Sequence, residues 1–508
     1  MPPRSGDHTL PAMSERESPL RMDAEQMRSI GYRTIDMLIR RLVDGDAAPM
    51  RAASDAELSV LIDGEPPEHP RGFEQSLAEL EANVLTYASR LAHPGYFAFI
   101  PASSTFAGAL GDLIAGALDI DAGSWTSASG PSRLELIVLD WFRSWIGYPQ
   151  GAEGVLVSGG SAANLTALAC ARETLVGPGS ATAVAYASDQ THSSIGRALR
   201  TLGFAPDRVR TIPSDGCFRV RLDALRAAID ADARAGLRPL IVIANAGATN
   251  TGAIDPLPEL ADVCARHAMW LHVDAAYGGF VALSEHGRLA LRGLELADSV
   301  TLDPHKWLHQ PIECGCVLTR RPGLLTRAFA TAPDYLEDYR SAEVDFCDRG
   351  LQLTRGARAL KIWLSLNTFG VGAFRAAVDR ALALARHVAH RIAADPELEL
   401  LCPPELGVVC FRRVCAGCDQ HELDLINADL VARLEATGHS LVSSTRLDGR
   451  YAIRMCIMNH TTSKRDVDRV LDWLREATLA VPSRPLVGSD SWYRRERAGR
   501  LPPALTIS

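Results

Sequence analysis

Lysine is almost missing from this 508-residue chain: of 53 basic residues only Lys306, Lys361 and Lys464 carry an amine, and the rest are arginine. Codon bias accounts for such a skew, yet it leaves three candidates for any chemistry that needs a lysine amine. Positive charge is also in deficit, because 61 acidic residues give a net charge of −8. With no run of lysine and arginine to set against it, this balance argues against a nucleic-acid surface. Long apolar runs are absent too. The longest uncharged stretch, Leu91 to Gly111, holds His93, Pro94, Pro101 and several serines and glycines, and reads as buried chain rather than a membrane span. The first residues, MPPRSGDHTLPAMSERESP, lack the apolar core of a secretory signal. Eleven scattered cysteines fit free thiols in a reducing cytoplasm. Their tightest group, Cys402, Cys410, Cys415 and Cys418, has one CxxC and no matching second pair, so no metal site is expected. A soluble, cytoplasmic protein without metal, membrane or nucleic acid is the expectation.

At roughly 150 residues per domain, the length suggests two to four domains or subdomains. Residues 1–20 are polar and aperiodic and read as disordered. A helical segment over 21–105 follows, with Asp23 as a helix cap and Phe73, Leu77, Leu80 and Val84 on one face. It is too small to hold a core of its own. From 106 to 370, strand candidates alternate with helices: Gly154–Val157, Ala183–Ala187, Val209–Ile212, Leu240–Ala244, Trp270–Val273, Ser299–Leu302 and Gly315–Leu318. Runs apolar throughout and separated by helices predict an α/β fold with a mainly parallel sheet covered on both faces. Residues 371–480 read as a smaller α+β domain, and 481–508 as a tail.

Ligands of open α/β sheets bind beyond the carboxyl ends of the strands. The first strand runs into Ser158-Gly159-Gly160-Ser161-Ala162-Ala163-Asn164, a turn and helix start able to hold a phosphate, or simply a tight turn. Its spacing fits neither a dinucleotide nor a nucleotide-triphosphate loop. His192 follows the second strand within Ser188-Asp189-Gln190-Thr191-His192-Ser193-Ser194, where a structural role is the bland alternative. Thr249 ends Asn245-Ala246-Gly247-Ala248-Thr249 after a further strand. Asp274 closes Trp270-Leu271-His272-Val273 and is followed by small residues; a buried carboxylate there needs a donor or a cation. Lys306 stands in Asp303-Pro304-His305-Lys306-Trp307, just past the Ser299–Leu302 strand. Lys464 reads as a solvated surface charge and Lys361 as a snorkelling one. A phosphate cup, a histidine, a buried aspartate and a lysine form the kit of pyridoxal phosphate (PLP) chemistry. In it the lysine makes a Schiff base with an aldehyde, and the aspartate keeps a pyridine nitrogen protonated.

With these motifs, and with His93-Pro94 to Pro101, Ser124-Trp125 and Leu139-Asp140-Trp141, the chain resembles the group II PLP-dependent amino-acid decarboxylases of fold type I over about residues 22–475. The aromatic-amino-acid branch is nearest. The resemblance implies that Lys306 carries PLP, that Asp274 pairs with the pyridinium, and that His192 stacks on the ring with Ala276 against the other face. It further implies Gly160, Ser161, Ser299 and His305 around the phosphate, Thr249 beside the cofactor, and a homodimer with shared active sites. That dimer would give the N-terminal helices something to pack on.

Departures bear on substrate and product. Asp121 and Gly123 stand where the family has an aliphatic and an aromatic residue reaching into the neighbouring site, and Ala102 replaces a hydroxyl residue. A larger or more polar substrate follows as one option. Counting back from Arg355 places Phe346 at the loop position where decarboxylases carry a tyrosine, with Tyr335 and Tyr339 close by. A phenylalanine there is associated with aldehyde synthases, which release aldehyde, ammonia and peroxide. The alternatives to an amine-forming decarboxylase are therefore an aldehyde synthase, a decarboxylase of a non-aromatic amino acid and, least favoured, a PLP-fold module without turnover. Arg454, in Tyr451-Ala452-Ile453-Arg454, is a candidate contact from the small domain or a structural arginine.

Overall fold

Runs that are apolar at every position have no face to give to water, and here they gather into one buried sheet. The computed structural model describes residues 18, 20–45, 47–100, 103–177, 181–331 and 342–479. Nearly all of 1–20, the tail from 481, and Pro101, Ala102, Tyr335 and Tyr339 lie outside the described residues. The chain divides after Ser89 into two compact units.

The first unit is helical. Its main helix, Ala24–Val43, starts at Asp23, whose side chain accepts from Glu25 and Gln26 N–H while Gln26 bonds back to the Asp23 backbone. This reciprocal cap satisfies amides that the helix start otherwise leaves open. Met27, Tyr32, Ile39 and Leu42 on it are exposed.

The second unit begins before the expected boundary at 105, because β1 (Tyr96–Phe97) pairs in parallel with Leu441–Val442 and so joins the small C-terminal sheet. The next seven strands are β2 (Glu153–Val157), β3 (Ala183–Ser188), β4 (Val209–Ile212), β5 (Arg238–Asn245), β6 (Trp270–Asp274), β7 (Ser299–Leu302) and β8 (Gly315–Thr319). They form a sheet in the order β2-β8-β7-β6-β5-β3-β4. Only β8 runs antiparallel to its neighbours. Helices Gly160–Leu175, Ser193–Thr201, Leu222–Arg234 and Leu257–Arg266 provide the crossovers that parallel pairing requires. All seven strands match the sequence expectation within a few residues.

The smaller sheet takes β9 (Leu398–Leu400), β10 (Val408–Arg413), β11 (Leu441–Leu447) and β12 (Arg450–Cys456) in the order β1-β11-β12-β10-β9. A long helix, Ala359–Ala393, is broken at Gly370, where φ of 74° suits glycine. Lys361 within it does not snorkel. It is buried, and its Nζ donates to Asp112 Oδ2 and to the carbonyls of Pro311 and Glu313 at 2.9–3.2 Å.

Two buried histidines tie this architecture to pH. His309 Nδ1–H donates to the Ser103 carbonyl at 3.1 Å, and Nε2 has no partner among the described residues. Burial, helped by His460, pushes its pKa down to about 3, and burial pushes that of His272 down to about 4. Folded values below the unfolded 6.5 mean that the unfolded chain binds more protons between pH 6.5 and those values. Stability is therefore lost as pH falls through that window, by about 1.4 kcal/mol per histidine at pH 5.5. Urea midpoints of His309→Asn, which suits the positive φ of 49° and keeps a donor, should decline less between pH 7 and 5.5 than those of the unaltered protein. Parallel declines would remove His309 from the acid response.

Candidate active site

The carboxyl ends of β2, β3, β5, β6 and β7 open on a cavity of about 360 Å³. After β2 the chain turns through Ser158 and Gly159 into the helix Gly160–Leu175, whose start has no side-chain cap. Its first N–H groups and the positive end of its dipole are left to a ligand, with Ser161 beside them. A Cβ on Gly160 would stand 2.8 Å from Asp303 Oδ2 and 3.1 Å from Ala276 Cβ, so only glycine lets this turn close against the opposite wall.

Asp274 ends β6 and is held on both oxygens. Oδ1 accepts from Ala276 N–H at 3.1 Å and Oδ2 from Asn164 Nδ2 at 2.8 Å. Asn164 is the hub of a wider network: its Nδ2 also donates to Ser194 Oγ at 3.0 Å, and its Oδ1 lies 3.0 Å from His272 Nε2. Ser194 Oγ in turn is 2.8 Å from His192 Nδ1, which also accepts from Ser194 N–H. His192 is thus neutral with its proton on Nε2, and burial holds its pKa below the usual value against the pull of Asp274.

Lys306 follows β7, with Nζ 3.1 Å from Asp303 Oδ2. His305 donates from Nδ1 to the Cys314 carbonyl at 2.6 Å, and its Nε2 is 3.7 Å from Asp303 Oδ2. Trp307 stacks on Tyr277 with ring centroids 5.9 Å apart, which fixes the turn that bears the lysine. Thr249 lines the cavity from the loop after β5.

Of the residues singled out from sequence, Gly160, Ser161, His192, Thr249, Asp274, Ala276, His305 and Lys306 line this one cavity. Ser299 does not. It lies opposite His272 at the start of β7, the wrong end of the strand for the phosphate, and its Oγ accepts from Trp270 Nε1 and faces His272 Nδ1 at 2.9 Å. Its place is the far end of the relay through His272 and Asn164 to Asp274.

Phe346 is not at the cavity either. It is buried under the guanidiniums of Arg349 and Arg355, 5.6 and 5.0 Å from its ring centroid. Arg454 is buried and spends its donors on the carbonyls of Thr249, Asn250 and Phe99 and on Ser443 Oγ, which pins the Thr249 loop to β12. Asp121 Oδ1 accepts from the N–H groups of Gly123 and Arg355, and a Cβ on Gly123 would meet the Leu353 carbonyl at 2.4 Å. Gly123 thus answers to packing within its own chain. Cys415 and Cys418 are joined as a disulfide, against the expectation of free thiols.

Sequence reasoning missed Asn164, Ser194 and Asp303. Asn164 had a detectable signal, one polar residue facing the sheet in a helix start otherwise made of small residues.

These residues fit PLP. An uncapped helix start suits a phosphate, the Lys306 amine an aldehyde, and a carboxylate fixed on both oxygens a pyridinium proton. The pyridoxal-dependent decarboxylase conserved domain matches residues 56–414. An aromatic-L-amino-acid decarboxylase of Bacillus atrophaeus is 37% identical over 457 residues, covering 89% of this chain and 95% of that protein. A phenylacetaldehyde synthase of Arabidopsis thaliana is 29% identical, covering 90% and 96%. The crystal structure of Oryza sativa TDC with PLP and tryptamine superposes with a TM-score of 0.86 at 28% identity, covering 91% and 99%. A shared fold, a conserved-domain match over most of the chain and a cavity suited to the cofactor agree: the chain belongs to the pyridoxal-dependent decarboxylase family, amino-acid carboxy-lyases that use pyridoxal 5'-phosphate.

Proposed function

We propose that the protein decarboxylates an aromatic L-amino acid to the amine and CO2, as a cytoplasmic homodimer. The observation that carries this reading is the convergence of Lys306 Nζ and the Asp274 carboxylate on one cavity with an open helix start. The aromatic preference rests on the likeness to the Bacillus atrophaeus aromatic-L-amino-acid decarboxylase and to the tryptamine-bound rice structure. The dimer reading rests on the resemblance and on Leu113, Ile114 and Leu118, exposed at the C-terminal end of the helix Phe106–Ala117. The cytoplasmic reading rests on buried thiols such as Cys170, Cys264, Cys314 and Cys316, which outnumber the one disulfide among the described residues. Among the described residues no helix is long and apolar enough to cross a membrane.

When bound, PLP supplies an aldehyde for amines and a pyridinium ring that accepts the electron pair left by departing CO2. Lys306 provides the amine that holds the cofactor until substrate replaces it. Asp274 keeps the proton on the ring nitrogen, and its charge stabilises what develops as the carboxylate leaves. Asn164 and the Ala276 N–H aim the Asp274 carboxylate, and neutral His192 offers a flat face. Gly160, Ser161 and the helix start bind the phosphate beside His305, while Ala276 leaves room for the ring and Thr249 closes the lysine side.

Phe346, the residue that pointed to an aldehyde product, is buried and does not line the cavity, while the likeness to a phenylacetaldehyde synthase keeps the aldehyde product as the alternative reading. Purified protein with added PLP, given a panel of L-amino acids, should release one amine per CO2 from an aromatic substrate without peroxide. Peroxide and aldehyde matching CO2 would establish the synthase instead, and CO2 from non-aromatic substrates alone would refute the aromatic assignment.

A further inference from the structure

Trp270, His272 and Ser299 are buried and do not line the cavity. Trp270, His272 and Asp274 alternate along β6 and so share one face, which puts Trp270 about 13 Å from Asp274 at roughly 3.3 Å per residue. Ser299 stands beside them at the start of β7.

Every proton in this row can be placed, because both ends of it are unambiguous. Asp274 as a carboxylate only accepts, so the Asn164 group 2.8 Å from Oδ2 is the NH2, and the amide oxygen faces His272. That oxygen also only accepts, so His272 carries its proton on Nε2, 3.0 Å away. Burial keeps the imidazole neutral, which leaves Nδ1 bare and in need of a donor. Ser299 Oγ, 2.9 Å from it, is that donor. At the other end the Trp270 indole N–H can only donate, and it does so to Ser299 Oγ at 2.8 Å. The single hydroxyl hydrogen of Ser299 is thereby turned toward His272.

The row then divides at Asn164. Its second NH2 hydrogen goes to Ser194 Oγ at 3.0 Å, and the Ser194 hydroxyl hydrogen goes on to His192 Nδ1 at 2.8 Å. Reversed, the same contacts would aim the Asn164 oxygen at the Asp274 carboxylate and draw the Ser194 hydroxyl away from His192. Two buried acceptors set against each other are costly, so the direction matters as much as the contacts.

Building on the PLP reading, we propose that Ser299, oriented by Trp270, is a positioning residue of the reaction. From the far end of the strands it fixes the donor direction that holds Asp274 toward the ring nitrogen and keeps His192 as the Nε2–H tautomer against the ring. A counter-ion and a stacking imidazole carried on different elements thus answer to one hydroxyl.

Ser299→Ala removes the hydroxyl and Ser299→Thr keeps it. Nitrogen NMR of apoprotein with isotope-labelled histidine, assigned through His192→Gln and His272→Gln, should show both imidazoles of the unaltered protein in the Nε2–H form. In Ser299→Ala, His272 should gain the Nδ1–H form, which the backbone carbonyl at that position can accept. His192 should lose its single tautomer too, although four hydrogen bonds separate it from the substitution. With PLP and an aromatic L-amino acid, Ser299→Ala should lower kcat per loaded site about tenfold, the scale of one lost buried hydrogen bond to a charged group, with KM within about twofold. Ser299→Thr should restore the tautomers and most of kcat.

A Nδ1–H tautomer at His272 in the unaltered protein would overturn the proposal. So would unchanged tautomers in folded Ser299→Ala, or a kcat per loaded site within about twofold of the original. The tautomers of the unaltered protein decide alone if neither variant folds. Failure of the unaltered protein to bind PLP or release CO2 would strike the proposed function itself, whereas normal turnover with any of these contrary results strikes only the role of Ser299.

Discussion

Lys306→Ala is expected to abolish the visible absorbance of lysine-bound PLP and to lower CO2 release by at least about 10⁴-fold, the scale on which loss of a covalent catalytic group is felt. Neither remaining lysine can take its place. Lys361 Nζ is committed to Asp112 and two carbonyls, and Lys464 is exposed at the start of the helix Lys464–Glu476. The fold should persist, because Lys306 is a cavity-lining side chain rather than a core one. The checks are the absorbance spectrum and CO2 release from an aromatic L-amino acid. An unchanged spectrum with activity within a few-fold of the original would mean that another group carries the cofactor.

Asp274→Asn is expected to act differently. The amide oxygen can still accept from the Ala276 N–H, although its NH2 then meets the Asn164 donor, and Lys306 still takes the cofactor. What disappears is the negative charge that holds a proton on the ring nitrogen as electrons flow toward it. Loss of one such preorganised group costs about 10²–10³ in kcat. The signature is a retained visible band with kcat lowered by that factor. A variant as active as the original would leave the Asp274 network, with Asn164, His272 and Ser299 behind it, a purely structural role.

Much of this was legible in the sequence, for identifiable reasons. Strands such as β3, β5 and β6 are apolar at most positions, so their pattern survives without knowledge of their partners. Lys306 and Asp274 are legible because each sits just where a strand ends, and the scarcity of lysine sharpens the first. Ser299 misled because Ser299 and Thr301 share one strand face, and only the register against His272 and Asp274 tells which lies near the cavity. Phe346 misled because counting residues back from a helix carries no periodicity to correct it. Its ring sits between two arginines, one of them, Arg355, in a buried pair with Glu135 at 2.7 Å that no local pattern announces. β1 is two residues long and exists through its pairing with Leu441 and Val442, a contact invisible to any window of sequence. Asp303 lay in plain view within a motif already noted for its lysine, and only the fold shows that its carboxylate comes within 3.1 Å of Nζ.

The central claim is that Lys306, alone among three lysines, holds the cofactor of a decarboxylase. Borohydride reduction of the PLP-loaded protein, followed by peptide mass spectrometry, tests it most directly. The expected result is a single pyridoxyl-modified peptide, the one containing Asp303-Pro304-His305-Lys306-Trp307. A label on the Lys361 or Lys464 peptide, or none on any lysine, would contradict the account.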